Sequence, residues 1–517
     1  MNLSLLLHTL RYLKIKQLYY QVYYRVVKRA YKKYNDEIEA SGLIYVDWID
    51  KPMCINGSTF CFLNITDVFH GWNDTRHGNL WSYNLNYMDW LLQPGYTYKE
   101  GSEWITCFID DIENNKIGLA PYPTALRGIN WIKFISMYAD RISTAETNRW
   151  NKALWEQYAL LRSRFEYHLL GNHLLEDAYS LYIAALYFKD DKMYRKSTKL
   201  LKRELKEQLL DDGAHYEQSP MYHCILLDRL LDCYNFSKHN VRFEEQEDFT
   251  SFLAVCASKM LGYLDSIIYS DGSIPLLNDS AIGIAPTATQ LYDYAQRLGI
   301  EWQPMILSNS GYRHFKHDRL EVVIDIGDIM ASYQPGHSHA DTFNYELRID
   351  GNPFIVDTGI STYEKNSRRQ YERSTVAHNT VTIEGRDTSQ VWGGFRVANR
   401  AKVSILEDTL FVIKAFHNGF GGGKIHIREF NIHEGLKVID EVPGGYECIS
   451  YIHFAPLVKD ISVQENIIHT NRAEIVIYGA IRIELIEDSV STEYNVYSSN
   501  KLAKIYFHKR LEYHIII

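Results

Sequence analysis

Gly336-His337-Ser338-His339-Ala340-Asp341-Thr342-Phe343-Asn344-Tyr345-Glu346-Leu347 is the densest part of a segment that continues to Arg400. Phe343, Tyr345, Leu347 and Ile349 recur with a period of two, which predicts a strand, and Gly351-Asn352-Pro353 predicts the turn into a second short strand ending at Asp357. Neighbouring strands would bring His339 and Asp357 together. Imidazoles spaced i, i+2 on extended chain point the same way, and imidazole with carboxylate is a borderline zinc ligand set. These residues nominate His339, Asp357 and His378 for one metal, with a metal-free hydrogen-bonded cluster as the alternative. A cupin-like site would want Glu four or five residues past the second His, where Phe343 and Asn344 stand.

Downstream of about Gly311 the texture is β: short alternating or β-branched runs such as 320–326, 401–406, 410–415, 424–430, 436–442, 473–477, 481–486 and 503–507 lie between turn residues. Runs at this spacing predict an antiparallel sandwich. Upstream, apolar residues keep helical spacing over 131–138, 150–170, 173–188, 192–210, 220–234, 249–269 and 287–298. Two of these helices end alike, at Asp211-Asp212-Gly213 and Ser270-Asp271-Gly272, which predicts stacked helical hairpins in a toroid or solenoid. The expected fold is multidomain α + β: an N-terminal arm over 1–40, a helical domain over 41–305 and a β-sandwich over 306–517.

The 517 residues exceed what one core usually holds. A net charge of −9 argues against a nucleic-acid binder. Thirty-nine Tyr and 10 Trp suit stacking on sugar rings, although most aromatics fill cores. Seven scattered Cys without a CxxC pair fit neither a disulfide framework nor a cysteine zinc site, and fit a reduced compartment. The apolar start, 1–10, lacks the basic region and cleavage site of a signal peptide, and no run is long enough to span a membrane. A cytoplasmic or peripheral membrane location is therefore expected. Residues 1–35 carry Arg11, Lys14, Lys16, Arg25, Lys28, Arg29, Lys32 and Lys33 and no acid, so this arm is expected either to pack on its own acidic body or to touch a membrane surface or an acidic polymer.

In the helical half, Gly171-Asn172-His173-Leu174-Leu175-Glu176 opens a helix with Asn172 placed as N-cap, and His173 can pair with Glu176 across one helix face. Glu217-Gln218-Ser219-Pro220-Met221-Tyr222-His223 crowds polar and aromatic groups into a turn, and Pro220 suits the first helical position. These two motifs, followed by Gly336-His337-Ser338-His339-Ala340-Asp341 and Ala377-His378-Asn379-Thr380-Val381, resemble in order the heparinase II/III-like polysaccharide lyases. Trp81-Ser82-Tyr83-Asn84-Leu85, Pro121-Tyr122-Pro123 and Ser389-Gln390-Val391-Trp392-Gly393-Gly394-Phe395-Arg396 are similar to other parts of that family.

The resemblance implies an α/α toroid, a C-terminal antiparallel β-sandwich and a cleft between them where a uronic-acid polysaccharide is cut by β-elimination. It implies that Asn172 and His173 bind the uronate carboxylate, that Tyr222 is acid or base with His337 as partner, and that His339, Asp357 and His378 hold a structural zinc. Glu176, Glu217 and Arg396 are assigned to substrate contacts on the same ground. Thr388 departs from the Gln that relatives often carry there. Relatives are usually exported, which makes a periplasmic location the resemblance's own expectation, and the basic arm resembles those of members tied to bacterial surface-polysaccharide synthesis. A non-catalytic carbohydrate binder on this scaffold, or a toroid glycosidase using Asp212 and Glu217, are the competing readings.

Overall fold

The computed structural model describes residues 3–52 and 54–517; Met1 and Asn2, the start of the apolar run read for a signal peptide, lie outside them. Two short helices, α1 (Leu3–Leu10) and α2 (Ile15–Val26), form the arm. The helical domain continues through α3 (Asn79–Tyr87), α4 (Tyr98–Asp110), α5 (Pro121–Met137), α6 (Thr144–Ser163) and α7 (Gly171–Phe188). It ends with α8 (Asp191–Gln208), α9 (Pro220–His239), α10 (Gln246–Ile267) and α11 (Ala288–Arg297).

Helices α5 and α6, α7 and α8, and α9 and α10 pair as hairpins, while α3, α5, α7 and α9 touch in succession. Side-chain pattern decides the layer each helix occupies. Apart from His173, α7 is buried on every face, whereas α8 buries Met193, Tyr194, Ser197, Leu200, Leu201 and Leu205 on one stripe and turns its lysines outward. The first belongs to an inner row and the second to an outer one, the layering of an α/α toroid. Sequence periodicity marked no helix over α3 and α4. It also ran one helix on to 170, but α6 ends at Ser163. There the Asp177 carboxylate accepts the Glu166 backbone N–H at 2.7 Å and holds the chain in a turn.

Helices give way to strands between Arg297 and Tyr312. Strands Tyr312–His317, Leu320–Asp325, Tyr345–Ile349 and Asn352–Ile355 make a four-stranded antiparallel sheet. A second sheet, 10-stranded among the described residues, is built around the long strands Glu474–Val490 and Ser498–Ile516. Val322, Ile324 and Leu347 of the first sheet share one core with Phe430, Val438, Ile505 and Phe507 of the second, so the expected sandwich is present. The runs 473–477 and 481–486 prove to be one strand, bent by a bulge at Gly479 (φ +83°) rather than ended. The hairpin after Ile349 turns on Asp350 and Gly351, both at positive φ, one residue earlier than the sequence indicated.

Gln218 clasps the two halves. From the turn before α9 its Nε2 donates to the carbonyls of Ser310 (2.7 Å) and Asp328 (2.9 Å), and its Oε1 accepts the Met330 N–H (2.9 Å). This clasp sets the register of the helix bearing Tyr222 against the loop bearing His337.

Candidate active site

Helix α9 starts as its sequence predicts, with Pro220 in the first position and Ser219 Oγ accepting the Tyr222 N–H at 3.2 Å. Helix α7 does not. Leu170 takes the cap position, with φ +64°, and Asn172 lies inside the first turn. The capping is done by Glu217, whose Oε1 accepts the Asn172 backbone N–H at 2.9 Å and whose Oε2 accepts the Asn172 side-chain amide at 2.8 Å. Released from capping, the Asn172 amide reaches His337, with Nδ2 3.3 Å from Nε2.

His337 lies against Tyr222, their ring centres 3.9 Å apart at 31°. Its Nδ1 is 2.9 Å from Asp279 Oδ2, and a carboxylate there requires Nδ1–H, which leaves Nε2 as the acceptor facing Asn172. Asp279 is fully buried and also accepts from His339 Nε2 (2.8 Å) and from Arg369 Nη1 (2.5 Å) and Nη2 (2.7 Å). The i, i+2 histidines thus do point one way, and both point at this carboxylate. Burial alone would raise the Asp279 carboxyl; Arg369 and the two imidazoles outweigh it and hold it well below the usual carboxylate range. Asp279 and Arg369 were not singled out from the sequence. The signal for Asp279 was the polar triplet Asn278-Asp279-Ser280 directly after Leu276-Leu277, which the fold buries; nothing comparable marks Arg369.

Burial pushes the Tyr222 phenol well above its ordinary value, so it stays protonated. The Tyr363 hydroxyl donates to it at 3.3 Å. Tyr122, Tyr87 and Tyr83 continue from His173 as a half-exposed aromatic row, with successive ring separations of 4.8, 5.9 and 6.3 Å, on which sugar rings can stack. His173 pairs with Glu166 at 2.9 Å, not with Glu176, and keeps 28% of its side chain exposed. Burial opposes its imidazolium, but Glu166 more than compensates and raises its pKa.

Three residues assigned to substrate contacts lie elsewhere in the arrangement. Glu176 is fully buried with Arg229 Nε 3.8 Å away, and Glu217 is 1% exposed and committed to the α7 start, so both underlie the site instead of facing a ligand. Arg396 is exposed on a small hairpin with its guanidinium 4.7 Å from the Trp392 ring centre; the adjacent Phe395 packs on Tyr363. Thr388 is buried and its N–H donates to Thr375 Oγ1 at 2.8 Å, which makes it part of the framework.

Of His339, Asp357 and His378, the last two are joined by a direct hydrogen bond, and His339 stands beside them bonded to Asp279 instead. His378 Nδ1 is 2.7 Å from Asp357 Oδ2, His339 Nε2 goes to Asp279, and the two rings are 5.3 Å apart. Buried His339 Nδ1 and His378 Nε2 have no hydrogen-bond partner. Among the described residues no group of three or more His, Cys, Asp or Glu has the geometry to hold a metal ion as arranged. Burial lowers His339 to about 4, which leaves it neutral as a ligand must be.

Comparison with known proteins agrees with this architecture. The family profile described as Heparinase II/III N-terminus matches residues 7–298, and that described as Heparinase II/III-like, C-terminal matches residues 304–504. The chain is 26% identical over 247 residues to a heparin-sulfate lyase of Pedobacter heparinus, covering 42% of this chain and 36% of that protein. It is 24% identical over 255 residues to a heparin-sulfate lyase of Bacteroides stercoris, covering 43% and 37%. The matched stretch spans little more than a third of the length of these curated relatives. The crystal structure of a heparinase III superposes with a TM-score of 0.68 at 18% identity, over 86% of this chain and 79% of that one, and shows the same toroid-plus-sandwich fold. The chain belongs to the heparinase II/III-like family.

Proposed function

We propose that the protein is a polysaccharide lyase that cleaves an anionic, uronic-acid-containing polysaccharide by β-elimination. The observation that carries this reading is the meeting of Tyr222, from the toroid, with His337, from the sandwich, beside the Asn172 amide and a row of half-exposed tyrosines. His337 Nε2 takes H5 from the uronate; the C5–H electron pair forms C4=C5, the C4–O4 bond breaks, and the Tyr222 hydroxyl gives its proton to O4. A phenol held protonated by burial suits the acid, and an imidazole whose Nδ1–H is committed to Asp279 suits the base. The uronate carboxylate meets the Asn172 amide hydrogen now turned to His337 and the exposed edge of His173, whose imidazolium form Glu166 favours. Such donors stabilise the charge that develops on the carboxylate, and losing one typically costs about 10² to 10³ in rate.

The glycosidase reading finds no support in the geometry. Asp212 accepts the N–H groups of Ser308 (2.9 Å) and Ser310 (2.8 Å), and Glu217 is taken by Asn172. The relatives named heparin-sulfate lyases make heparan-type glycosaminoglycans the first substrates to try. Elimination leaves a double bond conjugated with the carboxylate, so the expected result is rising ultraviolet absorbance on at least one of heparan sulfate, heparin, hyaluronan and alginate. New reducing ends without absorbance would mean hydrolysis, and binding with neither would leave a carbohydrate-binding protein.

We further propose that His339 and His378, with Asp357, hold zinc when it is supplied. The two unpartnered imidazole nitrogens support this; the direct His378–Asp357 hydrogen bond has to open for Asp357 to serve as a ligand. Zinc here would clamp the loop of His337 to the strand end at Asp357. Metal analysis of purified protein should find about one zinc per chain, lost in His339→Ala; metal-free protein of full thermal stability would remove the assignment.

A further inference from the structure

The N-terminal arm is amphipathic the wrong way round for a helix pair that serves only its own fold. In α2 the one buried side chain is polar: Gln17 Nε2 donates to the carbonyls of Leu169 and Tyr333, both at 3.1 Å. Other inward contacts are also polar or aromatic. Lys14 pairs with Glu207, the Tyr24 hydroxyl donates to the Phe165 carbonyl at 2.5 Å, and Tyr20 packs on Tyr167 at 4.7 Å. In α1, Thr9 Oγ1 accepts from Trp392 Nε1 at 3.1 Å, and no α1 residue is buried.

The aliphatic residues face outward instead. Ile15, Leu18, Tyr19, Val22 and Val26 follow i, i+3, i+4, i+7 and i+11 along one face of α2, and all are exposed, Ile15 at 85% and Val26 at 76%. Leu3, Leu7 and Leu10 of α1 are exposed as well. A continuous apolar row of this kind marks an interaction surface. Around it the chain is cationic without a single acid through residue 35, on a protein of net charge −9. Arg25, Lys28 and Lys32 are exposed and have no acidic partner among the described residues. An acidic polymer would satisfy these charges but has no use for the aliphatic row, and a second copy of this acidic chain would satisfy neither as well as a surface that is both anionic and apolar. No helix among the described residues is long and apolar enough to cross a membrane.

We propose that α1 and α2 form a docking surface for an anionic lipid bilayer, with the row from Ile15 to Val26 sunk at the headgroup boundary and the basic residues against lipid phosphates. The arm lies on the membrane, while its polar contacts hold the catalytic body to it.

The full chain should co-sediment with phosphatidylcholine vesicles containing one third phosphatidylglycerol, far more weakly with pure phosphatidylcholine vesicles, and less as salt rises. Ile15→Asp with Val22→Asp, both at exposed positions, should abolish sedimentation and leave the thermal unfolding midpoint unchanged. Lys28→Glu with Lys32→Glu should weaken binding at least about 25-fold at low salt, at roughly fivefold for each basic residue removed. Failure of the wild-type chain to bind phosphatidylglycerol vesicles would overturn the proposal, as would binding that survives the aspartate pair. Absence of vesicle binding together with a dimer that the aspartate pair dissolves would assign the row to a second copy. Absence of vesicle binding with retention on immobilised heparin that the glutamate pair removes would assign the arm to an acidic polymer.

Discussion

In the proposed reaction Tyr222 is the group that carries a proton, and Asp279, 2.9 Å from His337 Nδ1, is the group that fixes where another proton sits. If Tyr222 is the acid, Tyr222→Phe should lower turnover by at least about 10² to 10⁴ while polymer affinity stays within a few-fold. Normal turnover would take the phenol out of the mechanism. Glu176 is a different kind of residue. It lies beneath the site with its carboxyl raised to about 7, because burial disfavours the carboxylate by more than Arg229 favours it. A carboxyl whose folded value lies above its unfolded value, roughly 4.3, stabilises the fold below that unfolded value, and the contribution is lost as pH rises through the folded one. Glu176→Gln should therefore flatten the fall in stability between about pH 4 and pH 7, an effect on the order of 3–4 kcal/mol. Denaturant titrations at a series of pH values read it directly, and an unchanged slope would mean that Glu176 is ionised throughout.

At the level of elements, the start of α7 is the most exacting piece of the molecule. Gly171 sits at φ +60°, and a Cβ there would lie 2.3 Å from Glu217 Oε1, the oxygen that caps the helix. Gly171→Ala has to displace Glu217, and with it the Asn172 amide that Glu217 holds toward His337. Steady-state kinetics should show turnover reduced by about 10²-fold, as misplacements near 1 Å do, with stability down by about 1–3 kcal/mol. Loss of stability with unaltered turnover would show that the Asn172 position does not matter to the reaction. The legibility of elements followed their periodicity. Helix α8, amphipathic on an outer layer, was readable to within two residues at each end. Helix α3 was not, because it buries Trp81, Ser82, Leu85 and Asn86 within nine residues and shows no clean polar face.

For the whole molecule, the site exists only where toroid and sandwich meet, and Gln218 at φ +58° is one of the ties, beside Asp279 and Asp212. Gln218→Ala strands the Met330 N–H and frees the Ser310 and Asp328 carbonyls, at about 1–3 kcal/mol for the buried Ser310 carbonyl and less for the other two, which water can reach. Melting temperature and turnover should fall together, since Tyr222 follows the clasp by four residues and His337 answers from the other domain. A lower melting temperature with normal turnover would show that other contacts align the two halves.

Hydrophobic spacing alone was enough to separate a helical half from a β half and to suggest stacked helical hairpins, and strand spacing nominated His339, Asp357 and His378, because period and residue type are local properties; the roles assigned to Tyr222, His337 and Asn172 came from the family resemblance. Neither could show that Asp279 receives two histidines and an arginine, that Glu217 rather than Asn172 caps α7, or that Glu176 turns away from His173 to Arg229. Each of those depends on which buried charge finds a partner in a low-dielectric interior, and the partners are brought there by chain segments tens of residues away.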